Sequence, residues 1–248
     1  MTVAALFQRL EERIPRALSC EWDNDGLMCC PDPEAEVHKV LFTLDVTEQA
    51  VDYAVAGGFH LIVSHHPMIF RPLKGITDPK YVKLIQNGIA VMSFHTRLDA
   101  AEGGVNDVLA SLLGVRNTER FTREGIGVVG TLSQPMAPAE FVAWVKAALH
   151  CPKLEVILTD RPCQRIAVVG GDGKDFLRDA ALAGADTYLT GSMSYNSMTD
   201  GEALGMNLLA AGHYETEQPV LTALAADVEA ITGGVVYEIF ACNRIAVL

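Results

Sequence analysis

The chain has 248 residues, of which 50% are hydrophobic and 20% are charged, a balance typical of globular proteins. Lys and Arg number 19 against 31 Asp and Glu, which gives a formal net charge of −12. This acidic balance argues against a broad nucleic-acid-binding surface. No apolar run reaches the roughly 18 residues of a membrane helix, and the first residues lack the cleavage site of a signal peptide. We therefore expect a cytoplasmic protein that does not enter the membrane.

The six cysteines are scattered along the chain, and none of them has the C-x-x-C spacing of a zinc or redox site. This scatter predicts reduced thiols, as is usual in the cytosol. Their positions are Cys20, Cys29, Cys30, Cys151, Cys163 and Cys242.

Apolar segments of strand and helix type alternate almost from end to end. In the first half the pattern predicts a helix over 2–14 capped by Thr2, a strand over 40–46, a helix from Thr47 to Gly57, a strand over 60–64, a helix from Asp78 to Gly88, a strand over 89–94 and a helix over 106–113. In the second half it predicts strands over 127–132, 155–159, 165–171, 187–191, 206–212 and 235–241, with helices from Pro138, around 176–182 and over 219–231.

Short apolar strands separated by helices predict an α/β fold whose sheets are covered on both faces. The most charged and least hydrophobic stretch is Arg116–Gly125, and it favours a division into modules 1–125 and 126–248. A weaker second candidate for the boundary is the segment Ser133–Pro138, which contains two prolines.

The first candidate site is Ser64-His65-His66-Pro67, directly after the apolar strand HLIV. Ligand sites in open α/β sheets gather at the carboxyl ends of strands. Two adjacent histidines at such an end can point to different sides and reach different metal ions, and Pro67 restricts the backbone of His66. Adjacent histidines also occur on ordinary surfaces, so the pair needs support from elsewhere in the chain.

Two further clusters follow strand ends. After the strand IAVMSF come His95 and Asp99, where Asp99 is a candidate bridging ligand or, alternatively, a turn cap. After MNLLAA come His213 and Glu217, which are four residues apart and share one face if a helix begins at Tyr214. Glu215 would then face elsewhere, as an acid in the first helical turn.

Together these clusters predict a metal centre. Histidine and carboxylate ligands without thiolate suit divalent Zn, Mn, Fe, Co or Ni. The candidate ligands exceed the needs of one tetrahedral ion and suit two ions roughly 3.5–4 Å apart. They are His65, His66, Asp99, His213 and Glu217.

The sequence resembles the GTP cyclohydrolase 1 type 2 homologue family, also described as Nif3-like dinuclear-metal-centre hexameric proteins. The resemblance covers the whole chain and rests on the ordered motifs SHHP, HTRLDAA and GHYETE, with Trp22–Leu27 (WDNDGL), RIAVVGGDGKDF and TYLTG beside them. It implies the same five metal-binding positions, two divalent ions per subunit, two interlinked α/β modules with mixed sheets, and a toroidal homohexamer. One departure is Ser192–Asn196, where the family often carries an acid followed by a histidine pair.

The resemblance implies a metal-dependent hydrolase, with a nucleotide or other phosphorylated small molecule as the expected ligand. His95 and Asp45 are the candidate catalytic residues, which would transfer protons or orient the substrate. Alternatively, His95 orients a ligand and Asp45 caps a helix. The segment Gly170–Gly173 is either a tight turn or a backbone cradle for an anion. The alternative function is a non-enzymatic metal-binding scaffold, carrier or regulatory protein, which the departure at Ser192–Asn196 favours.

Overall fold

The computed structural model of the protein describes residues 1–245 and forms two compact units. The first unit comprises Met1–Ala101 and Leu221–Cys242. The second unit comprises Glu102–Val220 and, among the described residues, 243–245. The chain thus leaves the first unit once and returns to it near the carboxyl terminus.

Helices and strands alternate as the sequence pattern indicates. The first part of the chain forms α1 (Val3–Arg13), β1 (Gly26–Cys29), β2 (Lys39–Thr43), α2 (Glu48–Ala56), β3 (Leu61–Ser64), α3 (Pro79–Gln86), β4 (Ala90–Ser93), α4 (Thr96–Ala100) and α5 (Val105–Leu112). The remainder forms β5 (Arg116–Arg120), β6 (Val128–Met136), α6 (Pro138–Leu149), β7 (Glu155–Ile157), β8 (Cys163–Val169), α7 (Leu177–Leu182), β9 (Thr187–Thr190), α8 (Tyr195–Ala203), β10 (Asn207–Ala210), α9 (His213–Glu217), α10 (Val220–Thr232) and β11 (Val236–Ile239).

The first unit is built on a mixed five-stranded sheet in the order β1-β4-β3-β2-β11. The strands β4, β3, β2 and β11 are parallel, and β1 is antiparallel to β4. All four residues of β3 and of β4 are buried, as expected for parallel strands covered on both faces. The parallel register brings Ser64 of β3 opposite Ser93 of β4, so the segments that follow these strands leave the sheet at the same edge.

The second unit is built on a mixed six-stranded sheet in the order β5-β6-β8-β9-β10-β7. The strand β9 pairs in parallel with β8 on one side and with β10 on the other. The other three pairings, β5 with β6, β6 with β8 and β10 with β7, are antiparallel. The strands β9 and β10 are fully buried. The segments after β8, β9 and β10 therefore emerge together at one carboxyl edge.

Local signals in the sequence explain where several helices start. The hydroxyl of Thr2 accepts a hydrogen bond from the backbone of Ala5, and Thr47 caps α2 in the same way. Asp78 caps α3, whose first residue is Pro79, a position where the missing N–H is not needed. These helix starts agree with the sequence predictions.

The predicted module boundary differs from the division found in the structure. The charged segment Arg116–Gly125 contains β5, which pairs with β6 in the second sheet, and the units divide between Ala101 and Glu102. The charge of this segment reflects an exposed edge strand and not a linker between modules, because four of the five residues of β5 are exposed.

Within residues 1–245 all six cysteines are thiols. No helix in this described part of the chain is long and apolar enough to cross a membrane.

Candidate metal centre

His65 and His66 follow β3 at the carboxyl edge of the first sheet. The backbone N–H groups of His65 and His66 donate to the carbonyls of Thr43 and Leu44, 3.3 Å and 2.9 Å away, which continues the parallel ladder beyond the strand. The Ser64 hydroxyl donates to the carbonyl of His66 at 2.9 Å. The turn that carries both imidazoles is thus held by backbone bonds to Thr43 and Leu44 and by the Ser64 hydroxyl.

The imidazole of His65 is completely buried, and each ring nitrogen has a defined neighbour. Nδ1 donates to the carbonyl oxygen of Phe94 at 2.9 Å, which fixes the tautomer with the lone pair on Nε2. Nε2 lies 3.6 Å from Oδ1 of Asp99, a carboxylate in the short helix α4. The N-terminal cap residue of α4 is His95, so Asp99 is not the turn cap that the sequence left open. A nitrogen lone pair and a carboxylate oxygen so placed fit a shared metal ion.

The His66 imidazole is oriented by Asp45. Oδ1 of Asp45 accepts a hydrogen bond from Nδ1 of His66 at 2.9 Å, which leaves Nε2 as the metal-ligating atom. Asp45 does not cap the following helix, because Thr47 occupies that position. The contact therefore places Asp45 behind a candidate ligand, as a residue that positions the imidazole.

His95 is held by a carboxylate that the site prediction did not include. Oδ1 of Asp23 accepts from Nδ1 of His95 at 3.0 Å, and Oδ2 accepts from the backbone and hydroxyl of Thr96 at 3.0 Å and 2.6 Å. Burial raises the pKa of Asp23, but these hydrogen bonds, together with the attraction that a protonated His95 exerts, outweigh it and lower the pKa to about 2. Asp23 is therefore ionised at neutral pH and fixes the His95 tautomer with its lone pair on Nε2.

A second carboxylate, Asp25, anchors the same segment. Its side chain is fully buried, and Oδ2 lies 3.1 Å from Nε of Arg97, which is also fully buried. Asp25 also accepts from the backbone N–H of His95 at 3.3 Å. Both carboxylates lie in the segment Trp22–Leu27, which is one of the motifs that carry the family resemblance. Its alternating acids were the available signal for these two anchoring residues.

In the second unit, His213 and Glu217 form the two ends of the short helix α9. Nε2 of His213 lies 3.0 Å from Oε2 of Glu217, the geometry expected for residues four apart on one helical face. Glu215 turns away and accepts from the side-chain amide of Asn243 at 3.1 Å. Glu217 is buried, and the His213 side chain is about half exposed.

The turn Gly170–Gly173 supports this pair and does not cradle an anion. Its backbone N–H groups at positions 170, 171 and 173 donate to the side chains of Asn106, Thr216 and Thr190. These donors are therefore not available to a phosphate, and the turn interpretation holds. A Cβ atom at Gly171 would lie 2.1 Å from Oε1 of Glu217 and 3.2 Å from Nε2 of His213, so only glycine leaves room for both side chains.

A cavity of about 270 Å³ in the second unit lies next to His213. Ser192 and Met193, from the segment in which this chain departs from the family pattern, are among its lining residues. The departure therefore alters the wall of a cavity and none of the five candidate ligands.

The donor set fits a divalent metal ion. His65, His66 and Glu217 form a group of side chains able to hold a metal ion, with His65 and Glu217 buried and His66 half-buried. Asp99 pairs with His65 in the first unit, and His213 pairs with Glu217 in the second. Buried imidazole and carboxylate ligands without thiolate are typical of Zn, Mn, Fe, Co or Ni sites.

Comparison with known proteins places these features in a family. The model of the family described as Duf34/NIF3 (NGG1p interacting factor 3) matches residues 1–245. A GTP cyclohydrolase 1 type 2 homolog from Clostridium perfringens is 34% identical over 232 residues, covering 89% of this chain and 88% of that protein. A protein NIF3 homolog from Schizosaccharomyces pombe is 32% identical over 226 residues, covering 82% of this chain and 80% of that protein.

Solved structures agree with the fold. A hypothetical protein from Staphylococcus aureus superposes with a TM-score of 0.90 at 25% identity, over 100% of this chain and 99% of that one. A Bacillus cereus protein related to NIF3 gives a TM-score of 0.88 at 24% identity, over 100% and 99% of the two chains, and supports the fold alone. The mixed α/β architecture with its two sheets and the match along the whole sequence lead to one conclusion: the chain belongs to the DUF34/NIF3 family.

Proposed function

We propose that the protein binds two divalent metal ions with His65, His66, Asp99, His213 and Glu217 and uses them in a hydrolytic reaction. The observation that carries the proposal is the group His65, His66 and Glu217, whose possible ligand atoms lie within 4.8 Å of one another. Asp99 beside His65, and His213 beside Glu217, supply the further ligands that a second ion requires. The curated relative's name supports a hydrolytic reaction on a nucleotide or similar phosphorylated molecule.

The chemistry divides between the ions and the residues around them. When bound, two divalent ions supply Lewis-acid activation of water and of the substrate. Asp45 holds the ring of His66 through Nδ1, and the Phe94 carbonyl does the same for His65. Both imidazoles are thereby presented in the neutral tautomer that ligates through Nε2, which lowers the cost of ordering them on binding.

His95 is the candidate for moving a proton. Its Nδ1 donates to the ionised carboxylate of Asp23, so Nε2 can accept a proton and the carboxylate stabilises the resulting imidazolium. The rings of His65 and His66 lie 5.5 Å and 5.8 Å from that of His95, centroid to centroid, so a proton acceptor stands beside the candidate ligands. Asp45, by contrast, acts through His66 and has a positioning role.

Elemental analysis and turnover test the proposal together. Protein purified without chelator is analysed for Zn, Mn, Fe, Co and Ni, and then assayed against nucleotides and generic phosphoesters. We expect two ions per chain and a turnover that disappears in His66→Ala. The matched control is His38→Ala, which removes an exposed histidine paired with Glu36. Fewer than two ions per chain would refute the dinuclear site. Two ions with no turnover across the panel would favour a non-enzymatic metal-binding scaffold.

We also propose that the protein works in the cytoplasm as a toroidal homohexamer. Support comes from family membership and from the resemblance set out above. Sedimentation equilibrium tests the assembly, with an expected mass of about 160 kDa, six times the chain mass of 26.7 kDa. A mass near that of one or two chains at micromolar concentration would refute the hexamer.

A further inference from the structure

Two aromatic side chains of the first unit are exposed next to each other. Trp22 is 63% exposed and Phe70 is 47% exposed, and their ring centroids are 6.1 Å apart. Tryptophan is normally well buried, because its large apolar area gains free energy by leaving water. An exposed pair therefore points to a ligand that covers it.

The indole of Trp22 is open to stacking. Phe70 is tilted by 58° to it and His95 stands nearly at right angles, at 75°, with a centroid distance of 6.3 Å. Neither neighbour is parallel to the indole, so neither covers its face as a stacked ring would. His95 approaches as an edge contact, which leaves the indole next to the candidate proton acceptor.

The aromatic pair is fixed in place and not merely exposed. Asp23, the next residue, bonds to His95 as described above, and the side-chain amide of Asn24 donates to the carbonyl of Ile69, 2.5 Å away. Ile69 precedes Phe70 in the long connection 65–78 between β3 and α3, a length at which connections usually carry function. Three consecutive residues thus hold the indole, the histidine and the phenylalanine in one arrangement.

We propose that Trp22 and Phe70 form a stacking platform for a planar heteroaromatic ring of the substrate, beside His95. Because Phe70 is tilted by 58° to the indole, such a ring stacks on the face of Trp22 and meets Phe70 at an angle, and its polar edge can lie toward the imidazole of His95. The substrate assignment rests on the proposed function, whereas ring binding itself requires no metal ion. Trp22 is then a specificity residue that selects ligands by the presence of a flat ring.

Intrinsic fluorescence tests the platform in the full-length protein. The chain has two tryptophans, so Trp144→Phe leaves Trp22 as the reporter, and Trp144 lies on α6 of the second unit. Guanosine serves as the heteroaromatic probe, and ribose 5-phosphate as a probe without a ring. Titrations are run on chelator-treated protein and repeated after loading with Zn²⁺.

We expect guanosine, and not ribose 5-phosphate, to quench Trp22 emission. Calorimetry should show that Trp22→Leu weakens guanosine binding by about tenfold or more, the effect of losing one stacked base. Trp22→Phe should restore most of the affinity, and the Trp144→Phe protein should bind as the wild type does. Zn²⁺ content, measured on Trp22→Leu, should remain at the wild-type value.

Three results would overturn the platform. They are the absence of quenching by guanosine, equal affinities of Trp22→Leu and wild type, or a drop in assembly mass in Trp22→Leu, which would assign the pair to a contact between copies of the chain. Failure of the proposed function would look different. In that case fewer than two metal ions per chain would be found, but the metal-free protein would still bind guanosine. Circular dichroism checks that Trp22→Leu is folded.

Discussion

Gly171 is the position where a single methyl group should disturb the candidate metal centre most selectively. Its φ of +66° already disfavours alanine, by about 1–2 kcal/mol. In addition, the new Cβ would lie 2.1 Å from Oε1 of Glu217, so the carboxylate of this buried residue must move away from its present position. Overpacking of this kind costs about 1–3 kcal/mol. The free energy of unfolding of Gly171→Ala should therefore fall for two reasons, the positive φ of the backbone and the contact between the new Cβ and Glu217.

Gly205 provides a matched control. Its φ is +67°, and an added Cβ meets no atom within 4 Å. Gly205→Ala therefore carries the same backbone cost without the collision. The excess destabilisation of Gly171→Ala over Gly205→Ala, measured by urea unfolding of metal-free protein, isolates the contact with Glu217.

The assay for function is Zn²⁺ affinity by competition with a chromogenic chelator. Displacing a residue that supports a metal ligand typically weakens binding about 10–100-fold, and Gly171→Ala acts on the ligand itself. We expect at least that loss for Gly171→Ala and wild-type affinity for Gly205→Ala. Equal Zn²⁺ affinities in the two variants would refute Glu217 as a ligand.

Three further predictions concern the carboxylates of the first unit. Asp25→Asn should destabilise the protein by about 3–5 kcal/mol in urea unfolding, because it leaves the buried charge of Arg97 without its full counter-charge. Asp23 has a folded-state pKa of about 2 against 3.8 for the ordinary group, so its stabilising contribution is complete above about pH 4. That contribution, about 2 kcal/mol, is lost as the pH falls through 2, and Asp23→Asn should lack this part of the acid sensitivity. Asp45→Asn should weaken Zn²⁺ binding about 10–100-fold by loosening the ring of His66.

Each of these predictions has a control or a contrary result. As a control, Glu12→Gln breaks an exposed ion pair with Arg9 and should lower the free energy of unfolding by less than about 1 kcal/mol. An equally small decrease in Asp25→Asn would contradict the argument that the buried pair with Arg97 stabilises the protein. Parallel urea midpoints for wild type and Asp23→Asn from pH 6 to pH 2 would exclude a depressed pKa at Asp23. Unchanged Zn²⁺ affinity in Asp45→Asn would mean that His66 is oriented by other contacts.

The helices that the sequence predicted best are those with an explicit start signal. Thr2, Thr47 and the pair Asp78-Pro79 each set a helix start by a local hydrogen bond or by ring geometry, so a few neighbouring residues suffice. Buried strands such as β3 and β4 were equally clear, because burial on both faces demands a continuous apolar run.

Among the elements that the sequence did not predict, the strands β5 and β1 lack such signals and the helix α8 has only one. The strand β5 has four exposed residues and no apolar alternation, since it is an edge strand. The strand β1 has four residues and a register shift in its pairing with β4. The helix α8 did carry a signal, since Ser194 caps it by accepting from Ser197, but its weak apolar face gave no periodicity to support the cap.

At the candidate site, the candidate metal ligands could be chosen from the sequence, whereas the residues that position them were visible only in the fold. Histidines after strand ends could be selected because parallel strands end at one edge. The roles of Asp23, Asp25 and Arg97 could not be found that way, because Asp23 and His95 are 72 positions apart and no local rule joins them. The position of Asp45 behind His66 likewise depends on the register of two neighbouring strands.

The pairing of β11 with β2 has a consequence for how the protein is made. Val236 lies opposite Lys39, so this sheet closes between segments about 200 residues apart in the chain. During synthesis the outer edge of β2 stays uncovered until β11 has been made, and pairings this remote form slowly. An uncovered strand rim is a template for misassembly with other nascent chains. We therefore expect a chain that stops before β11 to leave this edge uncovered and to aggregate more readily than the chain that contains β11.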